Sequence, residues 1–132
     1  MHFMCEASLK LEIQFEKRGG LIPVVVQDVE TLQVLMLGYA NKEALDETIS
    51  TGKATFWSTS RNELWTKGKT SGDVLSIKEI LVDCDQDALV YKVVRQGGTC
   101  HTKNKDNETR VSCFYRKIDE QLQNLEFIPG AE

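Results

Sequence analysis

Proline is scarce in this chain, two residues in 132, and there is no low-complexity tract. That excludes a proline-rich fibre or an extended linker. No apolar run approaches the ~18 residues that a helical membrane span requires. The start, Met1-His2-Phe3-Met4-Cys5-Glu6, lacks a basic flank followed by an apolar block. No secretory signal is therefore expected, and the default location is the cytoplasm. Net positive charge is missing too: 16 Lys and Arg against 20 Asp and Glu leave a formal charge of −4. An acidic chain is a poor general polyanion binder, which argues against sequence-independent nucleic-acid binding. The four cysteines (Cys5, Cys84, Cys100, Cys113) form no C-x₂-C knuckle, which argues against a structural zinc ribbon or finger. In a reducing compartment they read as metal ligands, catalytic thiols or small core residues before disulfides.

What is present is an ordinary globular composition, 41% hydrophobic and 27% charged, at a length suited to one domain. Leu9, Leu11, Ile13 and Phe15 alternate with polar residues, the periodicity of a strand. After Gly19-Gly20, the valine-rich run Leu21 to Gln27 and the segment Val34 to Tyr39 predict a β-hairpin. Asn41 is placed to cap a helix over 42–51 whose apolar face is Ala44, Leu45, Thr48 and Ile49, with Gly52 as its C-terminal stop. Further strands are expected over 54–58, 64–66, 74–82, 88–95 and 113–116. The tail, 118–132, is a helix candidate without a motif. The class is α+β, strand-rich, with one main helix.

Three clusters carry chemistry. Asp83, Asp85 and Asp87 place three carboxylates within five residues. On a straight strand the outer two would stand about 13 Å apart, so they share one cation only if the segment curves. A hard divalent ion such as Mg²⁺ would relieve their repulsion; the alternative is a solvated acidic turn. The EF-hand pattern fails, because Ala88 and Val94 stand where its glycine and glutamate belong. Cys84 sits among these carboxylates, which disfavours a free thiolate but not a zinc-bound one. Cys100-His101 and Cys113 are the other soft donors. Three thiols from distant segments suit a tertiary zinc site with one position open to water. The third cluster is the segment from Trp57 to Gly72, which gathers hydroxyl residues, three cations and two indoles in sixteen positions. Such groups recognise phosphate and stack on nucleobases. It is not a P-loop, since Glu63 replaces the first glycine; the plain reading is a solvated hairpin.

The chain resembles the phosphoribosyl-AMP cyclohydrolases of histidine biosynthesis over about residues 20–117. The resemblance rests on Leu21-Ile22-Pro23, Val26-Gln27-Asp28, Val34-Leu35-Met36-Leu37, Phe56-Trp57-Ser58, Ser60-Arg61, Leu64-Trp65, Lys67-Gly68, Thr70-Ser71-Gly72, Asp83-Cys84-Asp85 with Asp87, Cys100-His101-Thr102 and Ser112-Cys113-Phe114-Tyr115. It implies an intertwined homodimer and hydrolytic opening of the adenine ring of 1-(5-phosphoribosyl)-AMP at N1–C6, the third step of the pathway. It assigns Mg²⁺ to Asp83, Asp85 and Asp87. One Zn²⁺ per subunit falls to Cys84 of one chain with Cys100 and Cys113 of the other. His101 becomes the base or proton shuttle. Trp57, Ser58, Ser60, Arg61, Trp65, Lys67, Thr70 and Ser71 become substrate contacts. Residues 1–19 are then an N-terminal extension and 118–132 a tail, too short for the pyrophosphohydrolase domain fused to some relatives. One departure stands out: Lys103 to Val111 lengthens the link between Cys100 and Cys113, which could displace Cys113. The competing classes are a zinc-dependent nucleobase deaminase, whose H-x-E and P-C-x-x-C pattern is absent, and a non-enzymatic zinc-binding module.

Overall fold

The valine-rich run forms β1 (Ile22–Asp28), in which Ile22, Val24, Val26 and Asp28 are buried and alternate with partly covered residues. This description comes from a computed structural model that describes residues 8–132. β1 pairs antiparallel with β2 (Val34–Ala40), so the expected hairpin is present. Its turn is held by the Asp28 carboxylate, which accepts the amides of Glu30 and Thr31 at 2.8 and 3.1 Å.

The helix α1 (Lys42–Thr51) starts where the sequence places it. The Asn41 side chain accepts the Ala44 amide at 2.8 Å, and Gly52 closes the end at φ 73°. That left-handed geometry carries no Cβ penalty only for glycine. Ala44, Leu45 and Thr48 are buried, but Ile49 is 57% exposed and does not join the core. Next come β3 (Thr55–Ser58) and β4 (Glu63–Thr66), a separate antiparallel hairpin. The ring of Phe56 lies against Gly38 of β2, where a Cβ would stand 2.6 Å from Phe56 Cδ1, so this close approach requires glycine.

β5 (Leu75–Val82) and β6 (Leu89–Arg95) complete a mixed sheet in the order β2-β1-β6-β5, with β1 and β6 parallel. Tyr91 of β6 is fully buried, its ring 5.9 Å from Phe56, which in turn lies 5.5 Å from Trp65. The core therefore sits between the sheet, α1 and the β3–β4 hairpin.

Three expectations are corrected. Leu9 to Phe15 is not a strand; it runs as an irregular strap into a 3-10 turn at Phe15–Arg18. Ile13 and Phe15 pack on the core, but Leu9 and Leu11 stay exposed. The strand expected at 113–116 begins later, as β7 (Arg116–Ile118), because the Cys113 amide instead donates to the Leu35 carbonyl at 2.8 Å. The tail is not helical: β8 (Leu125–Phe127) pairs with β7. Its turn is held by Asp119, whose carboxylate accepts the amides of Gln123 and Asn124. Among the described residues, no helix is long and apolar enough to cross a membrane.

Candidate active site

Beyond Val82 the chain reverses in a tight turn. The Asp83 carboxylate accepts the amides of Asp87 and Ala88 at 2.9 and 3.2 Å, and Gln86 takes φ 57°. This curvature brings one oxygen each of Asp83, Asp85 and Asp87 within 4.8 Å of one another, which a straight strand does not allow. The donor set, three hard oxygens in one concavity, fits a divalent cation.

The turn is countered by the chain's own cations. Lys17 Nζ lies 2.7 Å from Asp85 Oδ2 and 2.8 Å from Asp87 Oδ2, and Arg18 donates to Asp87 at 3.1 Å. The Lys17 ammonium holds the Asp87 carboxyl far below the usual range. Both carboxylates in turn raise the lysine. Asp83, further from these cations, is shifted upward by desolvation and by the Asp85 charge. The strap is also tied to this turn through Gln86. Its side chain accepts the Glu12 amide at 2.7 Å and donates to the Lys10 carbonyl at 3.0 Å, while its carbonyl accepts the Gln14 amide. Nothing local in the sequence marks Lys17 or Gln86 for these roles, because the partners lie 68 and 74 residues away.

Cys84 lies on this turn between Asp83 and Asp85 and is exposed. Cys100 and Cys113 are elsewhere. The Cys113 amide is fixed to Leu35, and Ser112 Oγ donates to the Val34 carbonyl at 2.7 Å. The strand registers set Leu35 level with Tyr91 and Lys92, whereas the acidic turn lies beyond Leu89. At least about 10 Å of strand separates the two regions. Among the described residues no three thiols converge within one chain.

The lengthened loop leaves Cys113 beside Cys100. Residues 103–109 form a small hairpin closed by a Lys103–Thr109 bridge, its tip organised by the Asn104 side chain, which accepts the amides of Asp106 and Glu108. Below it, the Cys100 amide donates to the Arg110 carbonyl and the Arg110 amide to the Thr102 carbonyl. The insertion thus projects outward, and the thiols of Cys100 and Cys113 lie near enough for each to shift the other. Burial pushes the Cys100 thiol up, but hydrogen bonds from Thr102 and Cys113, with the Arg110 charge, more than offset it and the net shift is downward. Cys113 is pushed up to about 11 by desolvation and by the charge of Cys100. Two adjacent sulfurs, one easily ionised, fit a soft divalent ion such as zinc. His101 follows Cys100 and is exposed.

The segment from Trp57 to Gly72 is the β3–β4 hairpin and the loop after it. Arg61, Trp65, Lys67, Thr70 and Ser71 line a groove of about 280 Å³. Lys67 of this groove is near enough to Cys113 for its charge to pull that thiol downward, against the larger effect of burial. The Ser58 and Ser60 hydroxyls lie 3.3 Å apart at the hairpin tip, and Ser58 accepts the Arg61 amide. The two indoles do not form one stacking platform. Phe56 pairs with Trp65 and Trp57 with Leu64, so Trp65 faces the core while Trp57 takes the opposite face.

The phosphoribosyl-AMP cyclohydrolase family model matches residues 36–115. Among curated relatives, the phosphoribosyl-AMP cyclohydrolase of Desulfatibacillum aliphaticivorans is 51% identical over 110 residues, 83% of each chain. That of Archaeoglobus fulgidus is 52% identical over 109 residues, 83% of this chain and 94% of the relative. The histidine biosynthesis bifunctional protein HisIE of Thermus thermophilus is 48% identical over 118 residues, 89% of this chain but 52% of the longer relative. The match takes in α1, the β3–β4 groove, the acidic turn and both members of the thiol pair, and the chain belongs to the phosphoribosyl-AMP cyclohydrolase family.

Proposed function

We propose that this chain hydrolyses the N1–C6 bond of the adenine ring of 1-(5-phosphoribosyl)-AMP, opening it to the phosphoribosylformimino-AICAR ribotide in histidine biosynthesis. The observation that carries the reading is the family match, which takes in both the hydroxyl- and cation-lined groove of Arg61, Lys67, Thr70 and Ser71 and the Cys100 and Cys113 thiols. Arg61, Lys67, Thr70 and Ser71 bind the phosphates, and the half-buried Trp57 stacks on the base. Cys100 and Cys113 hold zinc with Cys84 of a second copy, and Asp83, Asp85 and Asp87 hold Mg²⁺. Zinc bound there would supply a water of lowered pKa, the kind of nucleophile that addition at C6 near neutral pH requires. His101 is the chain's own proton carrier, taking a proton as water adds at C6 and returning one to N1 as the N1–C6 bond breaks. A thiolate-rich donor set is a softer Lewis acid than a histidine set, which makes this base more important.

The separation of Cys84 from the thiol pair supports a homodimer with shared zinc sites, since one chain supplies only two of the three sulfurs. An edge strand, β2, exposes Val34, Leu37 and Tyr39, an apolar face suited to that contact. Residues 20–117 make up the catalytic domain, and the cytoplasm is its location. Purified protein given 1-(5-phosphoribosyl)-AMP should change the purine's ultraviolet absorption without releasing ammonia, and a zinc chelator should stop the change. Ammonia release would identify a deaminase, and metal-replete protein without turnover would identify a binding module.

A further inference from the structure

Arg110 follows the inserted hairpin and has no part in the reaction described above, yet its guanidinium is held on several sides. Its guanidinium carbon lies 4.1 Å from the ring centroid of Tyr115 and 5.6 Å from that of Phe127. Those two rings are themselves stacked at 6.2 Å. Arg110 Nε donates to the Ala131 carbonyl at 2.9 Å, and Nη1 donates to the Thr102 hydroxyl at 3.2 Å. The Thr102 oxygen lies 2.9 Å from Cys100 Sγ, and the Thr102 amide donates to the same sulfur at 3.4 Å.

The direction of this chain of bonds is fixed by chemistry. A guanidinium can only donate, so it occupies a lone pair of the Thr102 oxygen. A metal-bound thiolate carries no proton, so the hydroxyl hydrogen must point to sulfur. We propose that Arg110 is a positioning residue: gripped by Tyr115, Phe127 and the Ala131 carbonyl, it orients Thr102 as a donor to the Cys100 thiolate. The C-terminal hairpin thereby tunes a zinc ligand. This rests on the reading of Cys100 as a metal ligand. Donors behind a ligand commonly matter tenfold to a hundredfold in metal affinity, and a cation over two aromatic faces is a rigid anchor for them. It gives the tail a role, since the anchor groups Phe127 and Ala131 both belong to it.

The test uses cobalt in place of zinc in the full chain, because thiolate-to-cobalt charge-transfer absorption reports the sulfur directly. Thr102→Val, which keeps shape and loses the hydroxyl, should move that band to lower energy. It should also weaken metal retention against a chelator by roughly 10- to 100-fold. Thr102→Ser should restore both. Arg110→Met and Phe127→Leu should shift the band in the same direction by smaller amounts. A role confined to packing would lower the melting temperature and leave the band in place. Wild-type protein with no thiolate–cobalt band overturns the ligand assignment itself. A wild-type band that Thr102→Val and Arg110→Met leave unchanged in energy and affinity overturns this inference alone.

Discussion

Asp83, Asp85 and Asp87 reach one another inside a single tight turn, whereas Cys100 meets Cys113 only through the anchoring of Ser112 and Cys113 to β2 and the folding of an inserted hairpin. The acidic turn is complete within one chain, and its charge is already answered by Lys17 and Arg18. The thiol pair stands apart from Cys84, the third ligand proposed for it, which lies with the aspartates before the start of β6. A local cluster of like charges must be neutralised where it stands, while a dispersed donor set needs scaffolding and, under the proposed shared zinc site, a second copy.

The sharpest way to break this contrast is subunit complementation. Cys84→Ala and Cys100→Ala should each lose zinc and turnover while staying folded. Dimers re-formed from an equal mixture should recover about a quarter of the wild-type activity, because half are mixed and each mixed dimer has one intact site of two. No recovery, or full zinc in folded Cys100→Ala, would place all the ligands elsewhere. A smaller effect is expected at His101. His101→Ala should keep its zinc and turn over roughly 10²- to 10⁴-fold more slowly, and unchanged turnover would remove this histidine from the chemistry.

At the acidic turn the contrast is sharpened by subtraction. Lys17→Met should raise affinity for Mn²⁺, used as a spectroscopic stand-in for Mg²⁺, by about fivefold, the size of one exposed ion pair. Asp85→Asn should lower it. Identical titrations for wild type and Lys17→Met would show that the ammonium does not compete for the site.

The smallest effect lies at Asp28, which is neither an acidic-turn residue nor a thiol. Burial pushes this carboxyl up, but the amides of Thr31 and Glu30 and the Arg95 guanidinium at 3.2 Å more than offset it, leaving it below the usual range. Its stabilisation is complete above the unfolded value near 3.9 and is lost as pH falls through the lower folded value. Asp28→Asn should therefore melt earlier than wild type at pH 7, by about 4 °C. The gap should narrow below about pH 4, and metal binding should be unaffected. A gap that is the same at pH 7 and pH 3 would assign the effect to packing.

The legible parts of the molecule follow the same division. β1, β2, α1, β5 and β6 could be read because each carries its own period, cap or valine content: Asn41 and Gly52 bracket the helix as the sequence indicates. The acidic turn was readable as a cluster from its spacing alone. The strap defeated its own alternation, because Leu9 and Leu11 find no surface to cover. The tail read as a helix because nothing local reveals that Tyr115 and Ile128 exchange a backbone bond. The opposed faces of Trp57 and Trp65 depend on the hairpin register, which composition cannot supply. Lys17, Gln86 and Arg110 escaped notice for one reason: each acts on a partner distant in sequence or through a third residue.

The inserted hairpin over 103–109 satisfies its own tip amides on Asn104 and leaves residues 105–108 in solvent. Lys105 is tied to the tail through the Glu132 carbonyl, so added length is best tolerated at 106–108, at a cost that grows slowly with residue number. The same tip offers a position for a fluorescent label or a short affinity peptide, close enough to sense occupancy of the thiols without touching them.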